Sequence, residues 1–172
     1  MISVIASLLL IPLVAMQFTD EVKWDFSDFV IMGLVLTFIA GAYELIVRKS
    51  QKTNYKIAFG VGLLGAFLLF WVNGAVGIIG NEGQSANLLF GAVFLVGFIG
   101  ALISRFKAKG MAKTLFVVAA VQMLVPVSAL IIWPPPDTSW SPGIFGVFWM
   151  CAFFAMLFMV SGFLFNRAAE NN

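Results

Sequence analysis

Few side chains in this chain are equipped for chemistry, and they gather in a handful of places. The densest is Gln17-Phe18-Thr19-Asp20-Glu21-Val22-Lys23-Trp24-Asp25-Phe26-Ser27-Asp28. Clustered carboxylates raise the local cation concentration and supply the oxygen ligands that Ca²⁺ and other hard cations take. Asp20 and Glu21, joined by Glu82 from a later loop, are the candidate metal ligands. The segment lacks the fixed Asp/Asn/Gly spacing of an EF-hand loop. A second reading makes it a solvated loop in which Asp25, Ser27 or Asp28 caps the following helix and sets negative charge on its positive dipole end.

Another polar concentration runs from Trp71 to Asn87. Asn73 lies in an apolar stretch where an amide needs a partner, and Gly74, Gly77 and Gly80 recur every three residues. Glycine lets a backbone approach closely and tolerates unusual dihedrals. Asn73, Glu82 and Asn87 read either as a polar site near a membrane surface or as a tight helix end whose asparagines cap nearby backbone. Glu44 is the acidic residue inside an apolar run. Intramembrane carboxylates can mark ion or proton paths, but Arg48 follows at i+4, the spacing of an intrahelical ion pair. Gln122 lies four residues before Pro126. Proline cannot donate to the i−4 carbonyl, here that of Gln122 itself. A local polar repair, an interhelical hydrogen bond and a transport site are the readings of that amide.

What is missing narrows the chemistry. The chain has no histidine and one cysteine, Cys151. Histidine-ligated haem, zinc, copper or iron, histidine acid–base catalysis, an intrachain disulfide and multi-cysteine metal sites are therefore excluded. No phosphate-binding GxxxxGK[ST] motif occurs. Gly60-Val61-Gly62-Leu63-Leu64-Gly65 fits GxGxxG without the preceding strand or aqueous site the fingerprint requires. No enzyme, no cofactor and no nucleic-acid partner are expected.

The elements that must position these groups are membrane spans. Of 172 residues, 62% are hydrophobic and 10% charged, and mean hydropathy is +1.03. Soluble domains carry about 25% charged residues. Six apolar runs appear, roughly Ile2–Gln17, Phe29–Val47, Ile57–Ile79, Leu88–Ser104, Thr114–Trp133 and Phe145–Phe165. About 20 helical residues cross a hydrocarbon core. The first run is short and holds Pro12. It lacks the basic start and small-residue cleavage site of a signal peptide, so it reads as a short or tilted first span, with a re-entrant or interfacial helix as the alternative.

Charge orients the spans. Arg48, Lys49, Lys52, Lys56, Arg105, Lys107, Lys109, Lys113 and Arg167 all fall on one side of a six-span alternation. Asp20, Glu21, Asp25, Asp28, Glu82 and Asp137, with Lys23 alone against them, fall on the other. The positive-inside rule makes the basic side, and both termini, cytoplasmic. Trp24, Trp133 and Trp140 then sit at outer span ends and Tyr43 and Tyr55 at inner ones, as headgroup anchors. The basic loops are suited to anionic lipid headgroups.

Small residues supply the packing faces. Ala58, Gly62 and Ala66 share small-xxx-small spacing, as do Gly97 and Ala101, and Gly74 and Gly77 extend the set. Span six is apolar all round, which suits lipid contact, a subunit interface or a groove for an isoprenoid, quinone or carotenoid.

Met16-Gln17-Phe18-Thr19-Asp20-Glu21-Val22, Ala42-Tyr43-Glu44-Leu45, Trp71-Val72-Asn73-Gly74-Ala75-Val76-Gly77-Ile78-Ile79-Gly80, Ala86-Asn87-Leu88 and Ile103-Ser104-Arg105-Phe106-Lys107 followed by Gly110-Met111-Ala112 resemble a group of small bacterial inner-membrane proteins with no established activity. The resemblance spans about residues 12–130. It implies a multi-pass place in the bacterial inner membrane and no mechanism, and it leaves out span six and the Pro-rich loop. The expectation is an all-α transmembrane helix bundle of about six spans, one domain over residues 1–172. Its expected role is that of a non-catalytic homo-oligomeric or complex-forming subunit in the lipid bilayer. The rival is a small cation channel or transporter with an acidic external mouth, its polar path lined by Asn73, Gln122 and Glu44.

Overall fold

The computed structural model describes residues 2–18, 24–48, 50, 52–136 and 138–170. All regular structure among them is helical: α1 Ile2–Ala15, α2 Phe26–Val47, α3 Thr53–Ala75, α4 Phe90–Ile103, α5 Ala108–Ile132 and α6 Ile144–Glu170, with a short 3-10 helix at Ser85–Leu89 leading into α4. Five helical segments, Phe26–Ile46, Thr53–Ala75, Ser85–Ile103, Ala108–Ile132 and Ile144–Glu170, are long and apolar enough to cross a membrane. α1 has 14 residues, about 21 Å at the α-helical rise, well short of the hydrocarbon thickness. The chain divides into two compact units, residues 1–49 and 50–172.

In the first unit, α1 and α2 pack together, and Gly33 admits the Leu9 side chain. Capping chemistry sets the start of α2. The Asp25 carboxylate accepts from the Asp28 N–H at 3.0 Å, and the Asp28 carboxylate accepts from the Asp25 N–H at 2.9 Å. This reciprocal capping box satisfies two of the donors a helix start leaves orphaned. Trp24, just before the cap, meets Phe29 edge-on at 5.2 Å, the hydrophobic staple that fixes the entry of the chain.

In the second unit, α3 packs on α6, α6 on α5 and α5 on α4. The rings of Phe70 and Phe94 bring α3 and α4 together at 6.5 Å. α5 and α6 hold most of the core, including Val118, Val125, Val147, Phe154, Phe158 and Phe165. Large apolar side chains such as Leu34, Phe38, Leu95, Ile131 and Phe163 stay exposed. In water they would form aggregating patches; in hydrocarbon they are the solvated surface.

Contacts between the ends group the loops. The Tyr55 hydroxyl donates to the Phe106 carbonyl at 2.7 Å, and Lys52 Nζ donates to the Ala168 carbonyl at 3.0 Å. The start of α3, the α4–α5 turn and the end of α6 therefore share one end of the unit. At the other end, the Gly80 N–H donates to the Ser141 carbonyl at 3.2 Å, joining the α3–α4 and α5–α6 connections. The α4–α5 turn is tight: Arg105 and Phe106 both have positive φ, 50° and 58°. The Phe106 N–H reaches back to the Ala101 carbonyl and the Arg105 N–H to that of Leu102, a Schellman closure with Arg105 where glycine is usual.

Two anchors differ from the sequence reading. Tyr55 and Trp140 are buried, so neither ring is presented to lipid headgroups. Tyr55 ties α3 to the α4–α5 turn, and the Trp140 indole N–H donates to the Trp133 carbonyl at 2.9 Å. Helices also outrun the apolar runs at the basic end: α3 begins at Thr53 and α5 at Ala108. Lys56, Lys109 and Lys113 thus sit in first or second turns, where long stems carry the charge to the interface. The third apolar run ends differently. Its last residues leave the helix because Gly77 takes φ +71°.

Candidate functional site

The most connected polar cluster of the second unit lies at the end that carries Glu82. Asn87, in the 3-10 helix, is 4% exposed. Its Oδ1 accepts from the Ile78 and Ile79 N–H groups at 3.2 and 2.9 Å. Its Nδ2 donates to the Ile79 and Asn81 carbonyls at 3.1 and 2.7 Å. One amide thus holds the backbone of a connection that turns too sharply for a helix. Asn73, at the end of α3, donates from Nδ2 to the Asn87 carbonyl at 3.3 Å. The turn depends on glycine at two positions. A Cβ at Gly77 would lie 2.3 Å from the Asn81 carbonyl carbon, and one at Gly80 would lie 2.6 Å from the Ser139 carbonyl oxygen. With Ile78 and Ile79 fully buried beneath it, the cluster is a lid on the bundle, built by backbone capping.

Beside the lid, a shallow pocket of about 240 Å³ opens between Gln84, Ser85, Ala86, Trp133, Thr138 and Ser139. Its lining is neutral, with hydroxyls, an amide and one indole. Glu82 points to solvent at the tip of the connection. Asp20, Glu21 and Asp137 lie outside the described residues, so the proposed pairing of Asp20 and Glu21 with Glu82 has no geometry to report. Among the described residues, no three His, Cys, Asp or Glu side chains gather as a metal-ligating group.

The remaining candidates sit on different helices. Glu44 pairs with Arg48 along α2, as the i,i+4 spacing implies, and both side chains are substantially exposed. Gln122 is fully buried on α5; neither Nε2 nor Oε1 bonds to a protein nitrogen or oxygen, and the Cys151 thiol of α6 lies against the amide. Of the contacts expected for it, the interhelical one is made to sulfur, the Cys151 thiol on α6. Asn73 and Gln122 share no partner: the first serves the lid, the second faces the core.

The packing residues divide. Ala58 is fully buried and Gly62 lies against Ser161, whose hydroxyl donates to the Ala58 carbonyl at 2.6 Å. The third member of that face is Gly65, against Leu157 and Phe158; Ala66 is only partly buried. Gly97 touches Val118, and Ala101 is buried. A Cβ at Gly74 would meet nothing within 4 Å among the described residues, so it is no packing contact among them, while Gly77 serves the turn and not a helix face. Sequence reasoning passed over Gly100, whose Cβ would fall 2.4 Å from Thr114 Cγ2, and Gly162, 3.0 Å from the Phe116 ring. Glycine in an apolar helix was the available signal; the partner helix was not.

The acidic segment has a measurable consequence at its described end. The Ser27 hydroxyl donates to Asp25 at 2.7 Å, and that bond, with the Asp28 N–H, holds the Asp25 carboxyl below its ordinary value of 3.8. A carboxyl lowered on folding contributes stability that is complete above its unfolded value and is lost as pH falls through the lowered folded value. We expect protection of the Asp28 amide N–H from exchange, corrected for intrinsic rate, to fall as pH drops below 3.8. Asp25→Asn, which keeps an accepting oxygen, should flatten that dependence.

No protein-family model, no curated protein and no solved structure matches the chain.

Proposed function

We propose that the chain is a non-catalytic, homo-oligomeric or complex-forming subunit of a bacterial inner membrane, crossing it six times with both termini in the cytoplasm. Its multi-pass character follows from the five long apolar helices. The observation that carries the reading is how the polar side chains are used. Asp25 and Asp28 cap α2, Glu44 pairs with Arg48, Asn73 and Asn87 hold the lid, and Ser161 ties α6 to α3. Polar groups spent on the fold suit a bundle whose role is to pack in the membrane.

α1 supplies the sixth crossing in this reading, with local bilayer thinning accommodating its length. The basic end of the second unit, with Lys52, Lys56, Arg105, Lys107, Lys109, Lys113 and Arg167 against Glu170, faces the cytoplasm. The outward face of α4, where Leu95, Phe98 and Leu102 are exposed and Gly91 has open space, with exposed Leu88 in the 3-10 helix before it, suits a neighbouring helix. The cation-channel reading rests on Asp20 and Glu21; within the second unit Asn73 and Gln122 share no partner, and Glu44 is paired with Arg48. The test is the mass of the protein in native-like lipid. More than one chain per particle is expected when it is expressed alone or with its membrane; a uniform single chain in both preparations would overturn the subunit reading.

A further inference from the structure

Three polar demands meet near the middle of α5 and α6. Gln122 is fully buried, and no protein nitrogen or oxygen is a partner to either of its side-chain polar atoms. Pro126, also fully buried, lies four residues on within α5. Having no N–H, it cannot serve the Gln122 main-chain carbonyl. The Cys151 thiol on α6 is fully buried and neighbours the Gln122 amide. A thiol donates and accepts only weakly, so it leaves most of that amide's capacity unmet. In hydrocarbon each such group costs far more than at a wet surface, and ordered water is one of the ways membrane helices satisfy the carbonyl that proline releases. Buried waters occupy sites where two to four polar groups converge. Ala119, one turn before Gln122, and Ala155, one turn after Cys151, are buried as well.

We propose that Gln122, the backbone released by Pro126 and Cys151 form a binding site for an internal water molecule between α5 and α6. The water donates to the Gln122 main-chain carbonyl and Oε1 and accepts from the Gln122 Nε2–H or the Cys151 thiol. This goes beyond the subunit reading and holds whatever the chain associates with.

Infrared difference spectroscopy on the full-length protein in lipid discs tests it. Water O–H stretches shift in heavy-oxygen water, whereas protein N–H, O–H and S–H stretches do not. Cys151 is the sole cysteine, so the S–H stretch reports on one residue. The wild type should show a heavy-oxygen-sensitive O–H band that is lost in Gln122→Leu, with the S–H stretch moving to higher frequency as its partner is lost. Gln122→Met, closer in shape to glutamine, serves as a second variant should the leucine protein fold poorly, and should lose the band too. A wild type without such a band, or a band that survives the substitution of Gln122, would overturn the site.

Discussion

Asn87→Leu is expected to destabilise the folded protein by roughly 4 kcal/mol, among the largest effects of any single substitution outside the helix cores. The change strips partners from the Ile78 and Ile79 N–H groups and the Ile79 and Asn81 carbonyls. A buried backbone group left unpaired costs about 1–3 kcal/mol, and three of the four bonds lie in buried surroundings. The apolar gain of leucine offsets part of that sum. Asn87→Asp keeps both acceptor bonds, loses the two donated by Nδ2 and should fall between. The measurement is the unfolding midpoint under denaturing-detergent titration from a mild-detergent state. A loss under about 1 kcal/mol for the leucine variant would mean that the lid is held by Ile78 and Ile79 burial rather than by the amide.

The second large effect is expected at Gly62. A Cβ there falls 2.9 Å from Ser161 Oγ, and that oxygen is not free to retreat because it donates to the Ala58 carbonyl at 2.6 Å. Gly62→Leu must push α3 from α6, displace Ser161, or both. Overpacking in a close-packed core costs about 1–3 kcal/mol, and the lost hydrogen bond adds about 1 kcal/mol, so about 3 kcal/mol is expected. Ser161→Ala alone should cost about 1 kcal/mol. The two residues touch, so the double variant should be less destabilised than the sum of the singles. Strict additivity would show that the leucine meets something other than Ser161.

These two sites show what can be seen in the chain before it folds. The capping box at Asp25 and Asp28 and the Glu44–Arg48 pair were legible because their partners lie three and four residues away, where helix geometry alone decides contact. That the apolar runs form helices followed from their composition, but among the described residues five rather than six are long enough to span, and α3 and α5 begin before their apolar runs; the basic end followed from loop charge. Asn87 was visible as a polar residue in an apolar stretch. Its role as a hub was not, because that depends on a turn folding back over it. Gly74 and Gly77 were read as part of a packing face, whereas the chain leaves the helix at Gly77; the tolerance of unusual dihedrals read from the three glycines applies at Gly77 and Gly80, both with positive φ. Gly62 was singled out from its spacing with Ala58. Its partner Ser161 lies 99 positions later, and nothing local in the sequence selects it over the other small residues of α6. The same holds for Gly100 against Thr114. Pairing between membrane helices is a property of two surfaces, and one strand of sequence displays only one of them at a time.

The account stands on a chain that threads the bilayer with its basic end inward, and the location of two points on it tests that most directly. A reporter fused after Asn172 and a second inserted at Gly83, in the exposed tip of the α3–α4 connection, should report opposite sides of the membrane in the native host. The account predicts a cytoplasmic C-terminal reporter and an external Gly83 reporter. An external C-terminal reporter, or both reporters on one side, would contradict it.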